Sequence, residues 1–198
     1  MTTKDMKTYI SGRPQSNLTS SSEILNVTSN QVAKSELPTN ITGGWANYIN
    51  GDLTPITVPA NVETKLTLDT TNGKVINNHL PFGVTDLWNS QTSQFDFSQL
   101  KVGDMVDIRV DGSLTNSGIN ESFVLNLVAG IGTSKEFTLP MASGVRFISG
   151  TSIISRYNGI FIGNAKIKNN PAELRIISSS AASGFLIDIY VKVLSILV

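Results

Sequence analysis

The 198-residue chain carries 15 basic and 15 acidic residues, so its formal charge cancels and no global field draws it to nucleic acid or to an anionic membrane. Charged residues make up 15% of the sequence, against roughly 25% in ordinary domains, and solubility rests on Ser, Thr and eighteen Asn. Cysteine is absent, which excludes disulfides and thiolate metal sites, and no apolar run approaches the about 18 residues of a membrane helix, so no membrane insertion is expected.

The opening residues, Met1 to Lys7, lack the apolar core of a signal peptide, and any route out of a cell is expected to differ from ordinary secretion. Residues 1–42 are mostly Ser, Thr, Asn, Gln and Lys, broken by Pro14 and Pro38. Such a segment cannot bury enough apolar surface to order by itself. It is read either as a leader without a task or as an arm ordered on a partner surface. The isolated apolar residues Tyr9, Ile10, Leu18, Ile24, Leu25 and Val27 favour the arm and are its candidate contacts. A helix from Ser22 to Ser35 has a cap in Ser22, but Val27, Thr28, Ser29 and Asn30 form helix poorly.

The domain is expected over residues 43–198, starting at Gly43-Gly44-Trp45. Trp45, Tyr48 and Ile49 lead a first strand, and Asn50-Gly51-Asp52 turns the chain. Pro55 and Pro59 bracket Ile56-Thr57-Val58, so that run is placed at a sheet edge or beside a bulge. Val62, Thr64, Leu66 and Leu68 alternate with Glu63, Lys65 and Thr67, and the turn at Asn72-Gly73 suggests pairing with Lys74-Val75-Ile76. Residues 77–99 show no clear period and include His79, Leu80-Pro81-Phe82-Gly83, Trp88 and Phe95-Asp96-Phe97. A loop of that length is a candidate functional loop.

From Leu100 to Ala129 the pattern is strongest. Val106, Ile108 and Val110 alternate with Asp107, Arg109 and Asp111, and Phe123, Leu125, Leu127 and Ala129 share a face after the turn residues Asn116 to Asn120. An antiparallel hairpin at the centre of a sheet is expected. Short β-prone runs follow at Lys135–Leu139, Val145–Ile148, Thr151–Arg156 and Ile160–Gly163, with Asn158-Gly159 as the strongest hairpin signal. After the turn Asn169-Asn170-Pro171, Ala172 to Ile177 alternates again. In the last strand Phe185, Ile187, Ile189, Val191 and Val193 face one way, while Leu186, Tyr190 and Leu194 share the other face with Asp188 and Lys192. A strand apolar on both faces is expected to meet a second sheet or another copy of the chain. Leu186, Tyr190, Leu194, Ile196, Leu197 and Val198 are therefore the candidate subunit interface. Nine to eleven short strands without a long amphipathic helix predict an all-β fold, an antiparallel β-sandwich or jelly roll.

Catalytic chemistry finds little material. His79 is the single histidine, so neither a zinc site of the usual kind nor a serine triad with an alternative base is available, and no Gly-x-Ser-x-Gly elbow occurs. No Gly-rich phosphate loop opens a helix. Asp104, Asp107 and Asp111 are the carboxylates a glycosidase pair would draw on, yet Asp107 and Asp111 lie on a polar strand face where charge is ordinary. No Asp-x-Asp-x-Asp-Gly run provides a calcium loop. The sequons at Asn17, Asn26, Asn40 and Asn120 matter only in a secretory pathway. No enzyme activity, cofactor or metal is expected. Trp45, Trp88, Tyr48 and Tyr157 stack on sugars only if exposed, and buried sandwich aromatics are the simpler reading.

The order Gly43-Gly44-Trp45-Ala46-Asn47-Tyr48, Pro55-Ile56-Thr57-Val58, Thr64-Lys65-Leu66-Thr67, Leu80-Pro81, Leu87-Trp88, Phe95-Asp96-Phe97 and Leu100 to Val110 resembles a group of tailed-bacteriophage virion structural proteins. The likeness continues through Tyr157 to Gly163 and Asn170-Pro171-Ala172, and so covers residues 43 onward. It implies a virion surface protein, a homotrimer with a jelly-roll domain similar to the tumour-necrosis-factor-like fold, anchored by its extended N-terminal arm. No catalytic residue is carried over.

Two functions follow as expectations. The first is a head-decoration or head-fibre protein, assembled in the host cytoplasm, whose residues 1–42 bind the major capsid protein or other virion proteins. The second is a receptor-binding tip on a tail fibre, with His79 and Trp88 contacting a host surface glycan. A polysaccharide-degrading enzyme is a distant third.

Overall fold

The computed structural model describes residues 41–196. The candidate arm contacts Tyr9, Ile10, Leu18, Ile24, Leu25 and Val27, and the expected helix at Ser22–Ser35, lie outside the described residues.

Among the described residues, twelve strands form two antiparallel sheets. In the first, β10 (Gly150–Phe161), β7 (Met105–Asn116), β12 (Ala182–Ile196), β1 (Ile41–Ile49) and β4 (Lys74–His79) lie side by side in that order, and β2 (Ile56–Val58) adds to β12. In the second the order is β5 (Trp88–Asn89), β6 (Gln94–Phe95), β11 (Ala172–Ser178), β8 (Glu121–Ala129) and β9 (Phe137–Arg146), with β3 (Thr64–Lys65) paired to β11. From β1 the chain alternates between the sheets, β2 and β4 in the first and β3, β5 and β6 in the second, before reaching β7; it then crosses to β8 and β9, returns at β10, crosses to β11 and ends in β12. That alternation is a jelly roll, and the all-β sandwich expected from sequence is the fold observed.

The core lies between the sheets. Val106, Ile108, Val110 and Leu114 from β7 and Ile189, Val191 and Val193 from β12 meet Leu125, Leu127 and Ala129 from β8 and Leu174 and Ile176 from β11, all buried. From Val106 to Val110 β7 reaches the core with every second side chain, as β12 does from Ile189 to Val193, the period of a half-buried strand.

The expected hairpin between β7 and β8 does not form. β7 pairs with β10 and β12, and β8 with β9 and β11. Both strands carry an apolar face, and those faces meet across the core instead of lying in one sheet. Two observations place the crossing: Asn116 is buried and donates from Nδ2 to Ser178 Oγ at 3.1 Å, and Asn120 takes φ 56°. Similarly, β4 pairs with β1 and not with the Thr64 strand. The Asn72-Gly73 turn tucks against the end of β1, where a Cβ on Gly73 would overlap the Ile49 carbonyl. Asn158-Gly159 makes no turn either: both residues lie within β10, opposite Ile108 and Asp107. Asn158 Nδ2 donates to the Pro140 carbonyl at 3.1 Å, a bond to the neighbouring edge of the other sheet.

β12 contains a bulge. Leu186 pairs with Gly112 and Asp188 with Asp111, so Ile187 is the extra residue. One inserted residue moves all later side chains to the opposite face. Before the bulge Leu186 points into the core at 1% exposure; after it Ile189, Val191 and Val193 do. Leu186 is therefore corrected from candidate interface residue to core residue. A short helix, α1 (Ala165–Lys168), precedes the turn at Asn170-Pro171, capped by Asn164, whose side chain accepts from the Lys166 and Ile167 amides.

Candidate functional site

The face of the first sheet turned away from the core gathers the residues with most to offer a partner. Register sets them in rows across the strands. Tyr157, Arg109, Tyr190 and Asn47 form one row through β10, β7, β12 and β1. Gly159, Asp107, Lys192 and Trp45 form the next, and Phe161, Met105, Leu194 and Gly43 the third.

An aromatic stack crosses four strands of this face. His79 on β4 lies on Trp45 with ring centroids 4.5 Å apart, Trp45 lies on Tyr190 at 5.7 Å, and the Arg109 guanidinium sits 5.4 Å from the Tyr190 centroid. The close approach that brings β4 over Trp45 depends on Gly44, because a Cβ there would overlap the His79 carbonyl. Aromatic stacking and a cation over a ring both favour this order.

Arg109, at the centre of the face, is paired within the chain. Arg109 Nη2 donates to Asp188 Oδ1 at 3.4 Å, and Arg109 Nε lies 2.9 Å from Asp111 Oδ2. The Nε contact lacks hydrogen-bond alignment and is electrostatic. Partial burial works against the Arg109 charge, but Asp111 and Asp188 outweigh it and hold the guanidinium's pKa above its ordinary value. Burial, then the adjacent Asp111, push the Asp188 carboxyl upward against the pull of Arg109. The Tyr157 hydroxyl is pushed up to about 12, by burial first and then by its hydrogen bond with Asp107. Flanking these groups, Met105, Tyr157 and Phe161 are each about half exposed, and Ile153 on β10 is 71% exposed. The arrangement is an amphipathic sheet face whose central cation is paired within the chain, with Lys192 exposed beside it.

Sequence reasoning reaches this face in part. Tyr190 and Leu194 are on it, half-buried. His79 is on it and exposed, held flat against Trp45. Ile196 ends β12 opposite Ile41, its side chain not described, and Leu197 and Val198 lie outside the described residues. Trp88 is corrected: it is 4% exposed, packs edge-on against Phe95 at 4.9 Å and donates from Nε1 to the Leu68 carbonyl at 3.4 Å, so its ring offers no face to a glycan. Tyr48 is likewise buried and donates to Asp86 Oδ1 at 2.7 Å, which together with its burial raises its pKa well above the usual range. Asp104 is buried and accepts from the Lys101 amide, a turn-closing role. Met105 and Phe161 escaped the sequence reading. Their signal was a run of adjacent apolar residues, Ile160-Phe161-Ile162 and Met105-Val106, in which one member must face outward.

No protein-family model and no curated protein matches the chain. Among solved structures it is similar to the PRD1 vertex protein P5, at 14% identity and TM-score 0.34 over 78% of this chain and 96% of that one. It is also similar to a chain of the infectious bursal disease virus Gx strain, at 9% identity and TM-score 0.37 over 80% of this chain and 38% of that one. The third is the cowpea mosaic virus top component, at 9% identity and TM-score 0.29 over 80% and 86%. These scores are low, and the jelly-roll assignment rests on the strand order itself.

Proposed function

We propose that the chain is a homotrimeric bacteriophage virion structural protein, a head-decoration or head-fibre subunit. It holds the major capsid protein or another virion protein through residues 1–42 and its own copies through the outer face of the first sheet. One observation carries the reading: exposed Met105, Tyr157 and Phe161 flank an aromatic stack whose Arg109 is paired with Asp111 and Asp188. Burying such a face gains about 25 cal/mol per Å² of apolar surface, and Arg109 enters it already paired. The resemblance of residues 43 onward to tailed-phage virion proteins supports the same reading.

The mechanism is mass action: a subunit that binds the assembled lattice and not its dissociated parts stabilises the lattice. The tail-fibre alternative loses its aromatic contact with the burial of Trp88 and retains His79 alone. Sedimentation of the purified full chain tests the self-association, with a trimer expected for the parent and smaller species for Phe161→Asp combined with Met105→Asp. A monomeric parent overturns the reading. Labelled protein mixed with particles lacking it is expected on the capsid shell and, without residues 1–42, on no part of the particle.

A further inference from the structure

The chain holds three Asn-Gly pairs, at residues 50–51, 72–73 and 158–159. Each carries its own electrophile and nucleophile, the side-chain carbon Cγ of Asn and the backbone nitrogen that follows it, and Gly has no Cβ to obstruct their approach. The fold decides whether they meet.

At the first pair they are kept apart. Asn50 is buried: its Oδ1 accepts from the Asp52 amide at 3.2 Å and the Asp69 amide at 2.8 Å, and its Nδ2 donates to the Leu186 carbonyl at 2.8 Å. The Gly51 amide donates to the Asp69 carbonyl at 2.8 Å. At the second pair, Asn72 is exposed and turned toward Asp69, to whose Oδ2 its Nδ2 donates at 3.0 Å. Gly73 is wedged beneath the Ile49 carbonyl, which a Cβ would overlap, so its peptide has no room to swing toward the side chain.

The third pair differs from both. Gly159 donates its amide N–H to Asn158 Oδ1 at 2.8 Å, which lays the nitrogen against the side-chain amide it would attack. Asn158 Nδ2 donates to the Pro140 carbonyl at 3.1 Å, so the amide group is held at its other end too. The pair lies on β10, the edge of its sheet, with Gly159 exposed. An edge strand leaves alternate amides outside the ladder.

We infer that Asn158 is a site of self-catalysed deamidation in the folded chain. Loss of the Gly159 amide proton to solvent hydroxide leaves the nitrogen lone pair facing the side-chain amide. A bond forms between Gly159 N and Asn158 Cγ, the Cγ–Nδ2 bond breaks, and Nδ2 leaves as ammonia, closing a succinimide. Water, the only co-reactant, then opens the ring at either carbonyl to give aspartate or, with an extra methylene in the backbone, isoaspartate. Both products lack Nδ2 and lose the tie to Pro140, and both set a new carboxylate beside Asp107, the register partner of Gly159. The conversion depends neither on the virion reading nor on self-association, so its failure leaves both standing.

Incubating the full chain in mildly alkaline heavy-oxygen water, followed by peptide mapping in a mass spectrometer, reads the converted fraction at each pair. Asn158 is expected to convert several times faster than Asn72, with heavy oxygen in the product, and Asn50 to remain an amide. The same incubation in urea removes the fold, and the rates at Asn158 and Asn72 are then expected to converge. Asn158→Gln keeps the amide but closes the larger ring poorly, and no conversion is expected at that position. Two results overturn the inference: an Asn158 that stays intact in the folded chain while Asn72 converts, or a ratio of the two rates that unfolding leaves unchanged.

Discussion

Trp45 stacks on Tyr190 across the boundary between β1 and β12, with ring centroids 5.7 Å apart and planes inclined by 26°. The contact joins the first described strand to the last, and the Arg109 guanidinium, 5.4 Å from the Tyr190 centroid, extends it to β7. Tyr190→Ala removes both interactions and is expected to lower stability by at least about 1 kcal/mol. Tyr190→Phe keeps the ring and is expected to stay within a few tenths of the parent. Chemical denaturation of the two variants checks the difference, and equal losses in both would assign the effect to the hydroxyl instead of the stack.

Asp188 makes this region sensitive to pH. Its carboxyl is held above the ordinary aspartate range, by burial and then by Asp111, with Arg109 pulling the other way. The folded chain therefore keeps this proton at pH values where the unfolded chain has released it. Stability falls as pH rises from the unfolded value through the folded one. Asp188→Asn is expected to gain stability over the parent above that window and to match it below. Denaturation midpoints measured in steps from about pH 3 to pH 7 follow the change; a variant weaker than the parent at neutral pH contradicts it.

Glu173 behaves in the opposite sense on the second sheet. Burial opposes its charge, but Lys65, Gln94 and Arg175 outweigh burial, with Lys65 Nζ at 2.9 Å and Gln94 Nε2 at 3.1 Å, and its carboxyl lies below the usual range. Its contribution is present above the unfolded glutamate value and lost as pH falls through the folded one. Glu173→Gln is expected to cost about 1–3 kcal/mol at neutral pH and progressively less in acid. The same titration run on this variant measures both limits, and a cost independent of pH would show the loss to be one of packing.

Leu174 on β11 is fully buried where the two sheets face each other. Truncation to Ala leaves a cavity that a close-packed sandwich relaxes into only partly, at a cost of about 2–5 kcal/mol. Guanidinium denaturation reports it as a lower midpoint with unchanged slope, whereas a changed slope would indicate an altered unfolded or native ensemble.

Much of this protein is legible in its residues taken one after another. Alternation at Val106, Ile108 and Val110, or at Leu125 and Leu127, states which side chains are buried, because a strand turns each successive residue to the other face. Prolines at 55 and 59 rightly mark β2 as peripheral, paired to β12 alone. The all-β class, the two-sheet sandwich and the outward position of Tyr190 and Leu194 follow from such local rules.

Which strand lies beside which does not follow, since an apolar face is satisfied equally by a partner in the same sheet and by one across the core. That is why β7 and β8, consecutive and similarly patterned, face each other between the sheets, and why the Asn-Gly pair at 158–159 is absorbed into β10. The single extra residue at Ile187 moved Leu186 into the core, and no periodicity announces a bulge before its partner strand is known. The burial of Trp88 and the row of His79, Trp45, Tyr190 and Arg109 are likewise products of register, in which residues far apart in the chain meet only because backbone hydrogen bonds between strands align them.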